Sequence, residues 1–468
     1  MTIAILRAAA TGRVVGDVHS GLHSVVHRKV IKVGSVEDVV SAVEYAGVNG
    51  LGVAIAGGRH AMGGQQLVHQ GLLLDMTGLN RVLYIDEERG LLKVEAGIMW
   101  DDLIGSMNRS GSSWSIIQKP TGADRISVGG SVSANIHGRV LGRGPFVNDI
   151  ESLEVVDARG CLRKVCRGDE LFSYVVGGYG LFGIVVTVTL RLQRKHYLRR
   201  RVRTASLADL VDAMQALLEE GHEYGDFQFN IDSHSPQFLI EGILASYEPV
   251  DGAVSVQDPG RKVLSEAQWK ELLALAHTDK GEAFRRYLNH YLTTEGQVYA
   301  CDTMQYSTYL DGYHRELDEK LGTARGTEVI TELYVPPERL PLFMDDCRGL
   351  FLEEDADLIY GTIRMIRADH TTYLAWAKED FACVIFNLHT EHSAEGQFKN
   401  ASIFRQLIKI ARKHHGSFYL TYHRYADRED LDACYPRFAG FLKKKQELDS
   451  EELFQSQWYR YYRDLYRD

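Results

Sequence analysis

Three glycine-dense loops in the amino-terminal part of the chain constrain it more than any other feature. The first, AGGRHAMGGQQ at Ala56–Gln66, follows the apolar run Leu51-Gly52-Val53-Ala54-Ile55. Gly57, Gly58, Gly63 and Gly64 let the backbone bend through positive φ and bring its N–H groups against an anion such as a diphosphate. His60 sits inside that bend, so its ring touches whatever the loop cradles. The second loop, Gly122 to Gly138, reads GADRISVGGSVSANIHG. Its side chains are too small and polar for a core and its Ser/Ala spacing too regular for a linker, so a flat ligand can approach it closely. The third, VVGGYGLFGIVV at Val175–Val186, runs from glycines straight into a strand predicted over Ile184–Leu192. Together they imply an extended ligand wrapped by backbone.

Around these loops short β-rich runs alternate with helical ones. Strands are predicted at Val25–Val33, Leu51–Ile55, Gly71–Met76, Val82–Ile85 and Leu91–Val94, each bounded by turn residues. A helix is expected from Ser35 to about Asn49, with Ser35 three residues before Asp38 in the manner of a capping box, and a short one at Trp100–Ser110.

From about Arg199 to Tyr425 the pattern changes. Two helical or mixed stretches, Ser206–Glu220 and Ser265–Leu292, accompany strands of readable alternation. In Phe227–Ile231 the polar Gln228 and Asn230 share a face; in Tyr360–Ile366, Tyr360, Thr362 and Arg364 do. In Cys383–His389, Val384, Phe386 and Leu388 face the core and Asn387 and His389 the other side. In Phe418–His423 the same rule turns Tyr419, Thr421 and His423 together, with Tyr422 pointing away. Plain solvent exposure would explain a polar face. Gln, Asn, Arg and His in place of Lys, Glu and Thr suit hydroxyl recognition in a closed cleft instead. The tail from Tyr435 to Asp468 is helical and aromatic-rich, expected to pack back on the first domain, with a protein interface as the competing reading.

Size and charge exclude several partners. A chain of 468 residues is expected to form two domains. With 63 acidic against 53 basic residues the net charge is −10, which disfavours nucleic acid and anionic membrane and points to a small-molecule ligand. No apolar run approaches the roughly 20 residues of a membrane helix, and Met1–Val15 has no signal-like apolar core, so a cytoplasmic location is expected. The six cysteines are scattered and read as reduced thiols. Neither GxGxxG nor GxxxxGK[ST] occurs in the first loop, so neither a nicotinamide Rossmann site nor a Walker site is supported. His389 and His392 lie three apart with no third ligand near in sequence, so no metal is expected.

The ordered blocks GGRH after a strand, LLLDMTGLNRV, VEAGIMWDDL, PTGADRISVGGSVSANIHGR, VNDIESLEVVDARG and GGYGLFGIVVTVTLRL carry a resemblance. Over about residues 20–195 the chain resembles the FAD-binding domain of the vanillyl-alcohol oxidase (PCMH-type) flavoprotein family. The resemblance implies an α+β fold: a two-lobed FAD-binding domain (1–198), a substrate cap built on an antiparallel sheet with helices (199–430), and a carboxy-terminal helical tail (431–468). It implies FAD, with the diphosphate over Gly57, Gly58, Arg59, His60 and Ala61. The flavin ring would lie beside Gly122, Ser127, Gly129, Gly130, Ser133, Asn135, His137 and Gly138, and Gly178, Gly183 and Ile184 would meet the cofactor through backbone.

His60 occupies the position of the histidine that is bonded covalently to flavin in the alditol, aldonolactone and gulonolactone oxidase branch. That branch reads GxxHS, and Ala61 stands here in place of the serine, which leaves covalent linkage open. The second half is more remotely similar to the caps of that branch and of the decaprenylphosphoryl-ribose oxidases. Thr362-Ile363-Arg364 falls on a Glu-x-Arg pair of the alditol and lactone enzymes, so Arg364 carries over and the glutamate does not. The active-site lysine that the decaprenylphosphoryl-ribose enzymes place on the late strand is missing from Leu420–Arg424.

These residues imply an FAD-dependent oxidoreductase that takes hydride from an alcohol group of a sugar, polyol or sugar lactone, with oxygen or another acceptor reoxidising the flavin. A neutral histidine suits removal of the hydroxyl proton. His423 is the first candidate base and His389 the second. Arg364, Gln228, Asn230, Thr362 and Asn387 are expected to orient hydroxyls. The alternatives are a noncovalent-FAD dehydrogenase of a lipid-linked sugar, a flavin-dependent alkyl-transfer synthase, and a non-catalytic flavin-binding protein. Substrate, acceptor and oligomeric state are not legible.

Overall fold

The computed structural model describes residues 12–250 and 261–467. Its first sheet is parallel and three-stranded, with Leu72–Asp75 between Lys29–Lys32 and Val53–Ala56. The helix Val36–Val48 makes the crossover; Ser35 caps it by accepting from Asp38 N, and Val39, Ala42, Val43 and Ala46 form its buried stripe. That stripe shares a core with Ile31, Val53, Leu72 and Leu74. The strand expected at Val25–Val33 is two strands: Ser24–His27 pairs with Arg13–Gly16, whereas Lys29–Lys32 joins the parallel sheet. The break falls at Arg28, whose N–H donates to Gly71 O.

A five-stranded antiparallel sheet follows in the order Leu162–Cys166, Ile150–Val156, Ile184–Arg191, Leu91–Glu95, Val82–Asp86. Val156, Ile184 and Val186 from its central strands close the core beneath the parallel sheet.

The later half is built on an eight-stranded antiparallel sheet. Its order is Val298–Ala300, Tyr197–Ser206, Glu241–Val250, Tyr224–Phe229, Leu358–Ile366, Phe381–Glu391, Gly326–Val335, Ser417–Phe418. Helices Leu340–Glu353 and Ala394–Lys413 bury Phe343, Phe351, Phe404 and Leu407 in the same core as Val384, Phe386 and Leu388 of the sheet. The whole is an α+β arrangement of helices with mainly antiparallel sheets.

Two expected elements divide. The helical stretch Ser265–Leu292 is two helices, Glu266–Thr278 and Lys280–Thr293, because Asp279 leaves helical geometry and its side chain caps the second by accepting from Glu282 N. The strand expected at Phe418–His423 stops at Phe418. Beyond it the carbonyls are taken elsewhere: Leu420 O accepts from Gln65 Nε2 and Trp458 Nε1, each at 3.0 Å, and Thr421 O accepts from Gly63 N at 3.2 Å. With no ladder there, side-chain alternation is lost.

The tail runs against the amino-terminal sheets. Leu453 O accepts from Val53 N at 2.7 Å and Gln455 N donates to Val53 O at 2.9 Å. Trp458, Tyr459 and Tyr462 are fully buried, with Trp458 packed 4.7 Å from the Tyr179 ring. Among the described residues no helix is long and apolar enough to cross a membrane.

Candidate active site

A cavity of about 1150 Å³ lies between the glycine loops and the exposed face of the large sheet. Ligand sites typically measure about 300–1,000 Å³, so there is room for a dinucleotide-sized group and a small molecule beside it. One wall comes from Gly57, Gly58, Arg59, His60, Ala61 and Met62, from Gly122, Ser127, Gly129, Gly130, Ser133 and His137, and from Gly180 and Gly183. The first two loops interlock: a Cβ on Gly57 would overlap Ser127 Oγ, so only glycine lets them meet. Arg59 holds φ 60, a left-handed backbone that is uncommon outside glycine and concentrates at functional sites. His60 stands edge-on to Tyr309, 5.5 Å between centroids, and burial pushes its pKa down to about 4, so the imidazole is neutral at pH 7.

The opposite wall is the sheet. Tyr360, Asn387 and Ile330 form one row across three neighbouring strands, and Thr362, Ile385 and Glu332 the next; all six line the cavity. Thr362 leaves its row without a carboxylate on its own strand, and Glu332 supplies one two strands away. Glu332 is buried and accepts from His137 Nε2 at 2.7 Å, from the Tyr334 hydroxyl, and from the Tyr422 hydroxyl at 3.3 Å. Burial alone pushes its carboxyl pKa up; His137, Tyr334 and Arg364 overcome that and hold it below the ordinary value. Arg364 crosses to the first wall, donating to Thr121 Oγ1 at 2.5 Å and Gly138 O at 3.4 Å. Thr362 Oγ1, Asn387 Oδ1, Gln228 Oε1, Thr421 Oγ1 and Arg364 Nε are buried without a partner among the described residues, and all five residues line the cavity. Buried polar atoms are paired as a rule, so these mark where a polar ligand completes the site.

Several expected residues stand elsewhere. His423 is not at the cavity; its Nε2 meets Thr331 Oγ1 at 3.1 Å and its ring packs on Tyr425 and Phe404, each at 4.9 Å. Burial pushes it down to about 3. Tyr422 lines the cavity in its place, the reverse of the expectation, because the strand that would have alternated them ends at Phe418. His389 is on the expected face but beyond the cavity's edge, among His277, His314 and Glu328. Asn230 shapes a turn, accepting from Asp232 N at 2.9 Å. Asn135 holds Asp369 Oδ2 and Val147 N, both at 2.9 Å, instead of facing the cavity. Gly138, Gly178 and Ile184 also lie behind the wall: Gly138 and Gly178 pack against Gln118 and Tyr174, and Ile184 is in the core.

The residues unforeseen were Glu332, Glu328, Tyr422 and Thr121. The two glutamates had a signal. In GTEVITELYV they fall on one face of an apolar strand, where a charged group is costly unless it is used or paired.

Comparison with known proteins agrees with this wall. Residues 28–165 match the family model of the FAD binding domain. An uncharacterised oxidoreductase, ORF5 of the fasciation locus of Rhodococcoides fascians, is 29% identical over 209 residues, 43% of this chain and 46% of its own. Decaprenylphosphoryl-β-D-ribose oxidase of Mycolicibacterium smegmatis is 28% identical over 242 residues, 49% and 52% of the two chains. L-gulonolactone oxidase of Bos taurus is 25% identical over 208 residues, 44% and 46%. The chain spans about half the length of these curated relatives. Residues 28–165 form an FAD-binding domain. That domain is similar to those of PCMH-type FAD-linked oxidoreductases, and its cofactor is FAD. The glycine wall and the unpartnered polar groups fit that cofactor.

Proposed function

We propose that this chain oxidises an alcohol group of a sugar, polyol or sugar lactone. In this reading residues 1–198 hold FAD between two lobes, residues 199–430 form the substrate cap, and residues 431–468 close over the first domain. The Gly57–Ala61 loop holds the diphosphate, and Ser127, Gly129, Gly130, Ser133 and His137 face the flavin. FAD supplies the hydride acceptor. What the protein must add is orientation of the carbinol and removal of its hydroxyl proton.

The observation that carries the reading is Glu332: an ionised carboxylate walled into a cavity beside Arg364 and opposite the FAD loops. Its Oε1 is taken by His137 and Tyr334, whereas Oε2 accepts the longer contact from Tyr422. Oε2 is therefore the proposed base, and it takes the hydroxyl proton while His137 and Tyr422 hold the carboxylate in place. Arg364, Thr362, Asn387 and Gln228 hydrogen-bond neighbouring hydroxyls. A cytoplasmic location agrees with the free thiols.

A lipid-linked sugar is the second reading. Trp269, Leu272, Leu273, Phe284 and Tyr287, from the helices Glu266–Thr278 and Lys280–Thr293, give the cavity an apolar arm suited to a chain. An anaerobic screen of sugars, alditols, lactones and a prenylphosphoryl sugar, followed by the visible flavin band, tests both. Bleaching by a free polyol or lactone supports the first; bleaching by the prenyl substrate alone supports the second. No bleaching by any alcohol contradicts both.

A further inference from the structure

Beside the cavity three histidines and a glutamate from four separate elements converge. His277 ends the helix Glu266–Thr278, His314 opens the helix Tyr313–Leu321, and Glu328 and His389 lie on paired strands as direct cross-strand partners. Their donor atoms all lie within 4.8 Å of one another. Glu328 Oε1 is the hub, 2.5 Å from His314 Nε2, 3.2 Å from His277 Nε2 and 3.9 Å from His389 Nδ1.

Hydrogen bonding does not account for the cluster. One carboxylate oxygen cannot satisfy three imidazoles, and among the described residues neither His277 Nε2 nor His389 Nδ1, both buried, has a hydrogen-bond partner. The His277 side chain is 6% exposed, so its unpartnered nitrogen is aimed inward at Glu328. Leaving such atoms unpaired is costly unless something else is bound.

The surroundings are those of a ligand set. His314 Nδ1 is held by Asp318 Oδ1 at 3.1 Å, and the other carboxylate oxygen of Asp318 accepts from Gly326 N at 2.8 Å. That is the carboxylate–histidine support which fixes a metal-bound imidazole and frees Nε2 for the ion. Gly326 also admits the His389 ring, since a Cβ there would overlap its Cε1.

We propose that His277, His314, His389 and Glu328 form a binding site for a first-row divalent cation, with zinc the best match to three imidazoles and one carboxylate. Zinc bonds of about 2.0–2.1 Å put neighbouring donors roughly 3.4 Å apart in a tetrahedron, so side-chain shifts of about an ångström close the site. Four protein ligands fill a tetrahedral ion, which makes the site structural. It clamps two helices to the sheet, and because Glu328 and Tyr313 also line the cavity, it sets the position of that wall.

The test uses the FAD-loaded protein, stripped with EDTA, desalted and offered zinc chloride or cobalt chloride alone. The expected result is about one tightly held zinc per chain by elemental analysis, a rise in melting temperature on loading, and intense visible bands of tetrahedral Co2+. His314→Ala and His389→Ala, and independently Glu328→Gln, should each cut zinc occupancy at least tenfold with flavin content unchanged. Wild-type protein that stays below about a tenth of an equivalent at a zinc excess, or variants that retain full occupancy, would overturn the site. Neither outcome depends on which alcohol the enzyme oxidises.

Discussion

His137 Nε2 lies 2.7 Å from Glu332 Oε1, a bond that joins the FAD-binding domain to the large sheet at the floor of the cavity. His137 Nδ1 faces Gly138 O at 3.0 Å, so both ring nitrogens meet acceptors and the ring is fixed in orientation. The same carboxylate takes the Tyr334 and Tyr422 hydroxyls. A buried charge of this kind is tolerated only when so surrounded, and removing one partner leaves the rest exposed to a low-dielectric interior.

Arg364 bridges the walls through Thr121 and Gly138, and its Nε has no partner among the described residues. A lysine keeps the charge but loses the planar fork. Arg364→Lys should weaken substrate binding roughly tenfold, about 1.4 kcal/mol for one charge-assisted hydrogen bond, with FAD still bound. Steady-state KM with the best substrate of the screen checks this; an unchanged KM contradicts it.

His423 is structural, so His423→Gln should leave anaerobic flavin reduction within a few-fold of wild type. Its effect is on stability. The folded pKa of about 3 lies below the ordinary imidazole value of 6.5, so the unfolded chain binds the extra proton. The stability held above about pH 6.5 is then lost as pH falls toward 3. Urea unfolding between pH 7 and pH 4 should show a shallower loss in His423→Gln than in wild type. Equal slopes, or a collapse of flavin reduction, would show the residue misread.

His60 is neutral and on the cavity wall, as a histidine bonded to flavin must be before attachment. Acid-precipitated wild type is expected to keep yellow fluorescence in the pellet, and His60→Ala to release its flavin into the supernatant. Wild-type flavin that all appears in the supernatant rules out the bond and leaves the rest of the site intact.

Trp458 is fully buried, donates to Leu420 O at 3.0 Å and packs on Tyr179, which lines the cavity. Trp458→Ala should cost about 3–5 kcal/mol, the range for emptying a large aromatic site. A lower melting temperature and a lower flavin content of the purified protein are expected. Wild-type behaviour in both would mean that the tail does not support the FAD-binding domain.

The parts of this molecule visible in its sequence are those set by local rules. Ser35 before Asp38 marks a helix start, and Trp100–Ser110 reads and folds as one helix, ended by Gly111 in the left-handed conformation. The alternation of Tyr360, Thr362 and Arg364 holds because Phe381–Glu391 pairs with their strand in unbroken register from Tyr360 to Ile366. The failures occur where partners distant in sequence decide. Leu420 and Thr421 look like strand residues until Gln65, Gly63 and Trp458 capture their carbonyls, which turned His423 inward and Tyr422 toward the cavity. Glu332 was hidden for a related reason: the carboxylate missing at Thr362 returns on a strand two places across the sheet, and only the register puts the two in one row.

The central claim is that Glu332 takes the substrate's hydroxyl proton as hydride passes to FAD. Rapid anaerobic mixing of substrate with wild type and with Glu332→Gln, followed by the visible flavin band, measures that step alone. Flavin reduction should slow by about a hundredfold or more in the variant, in the range of lost general-base catalysis, with FAD content unchanged. Reduction at the wild-type rate would contradict it.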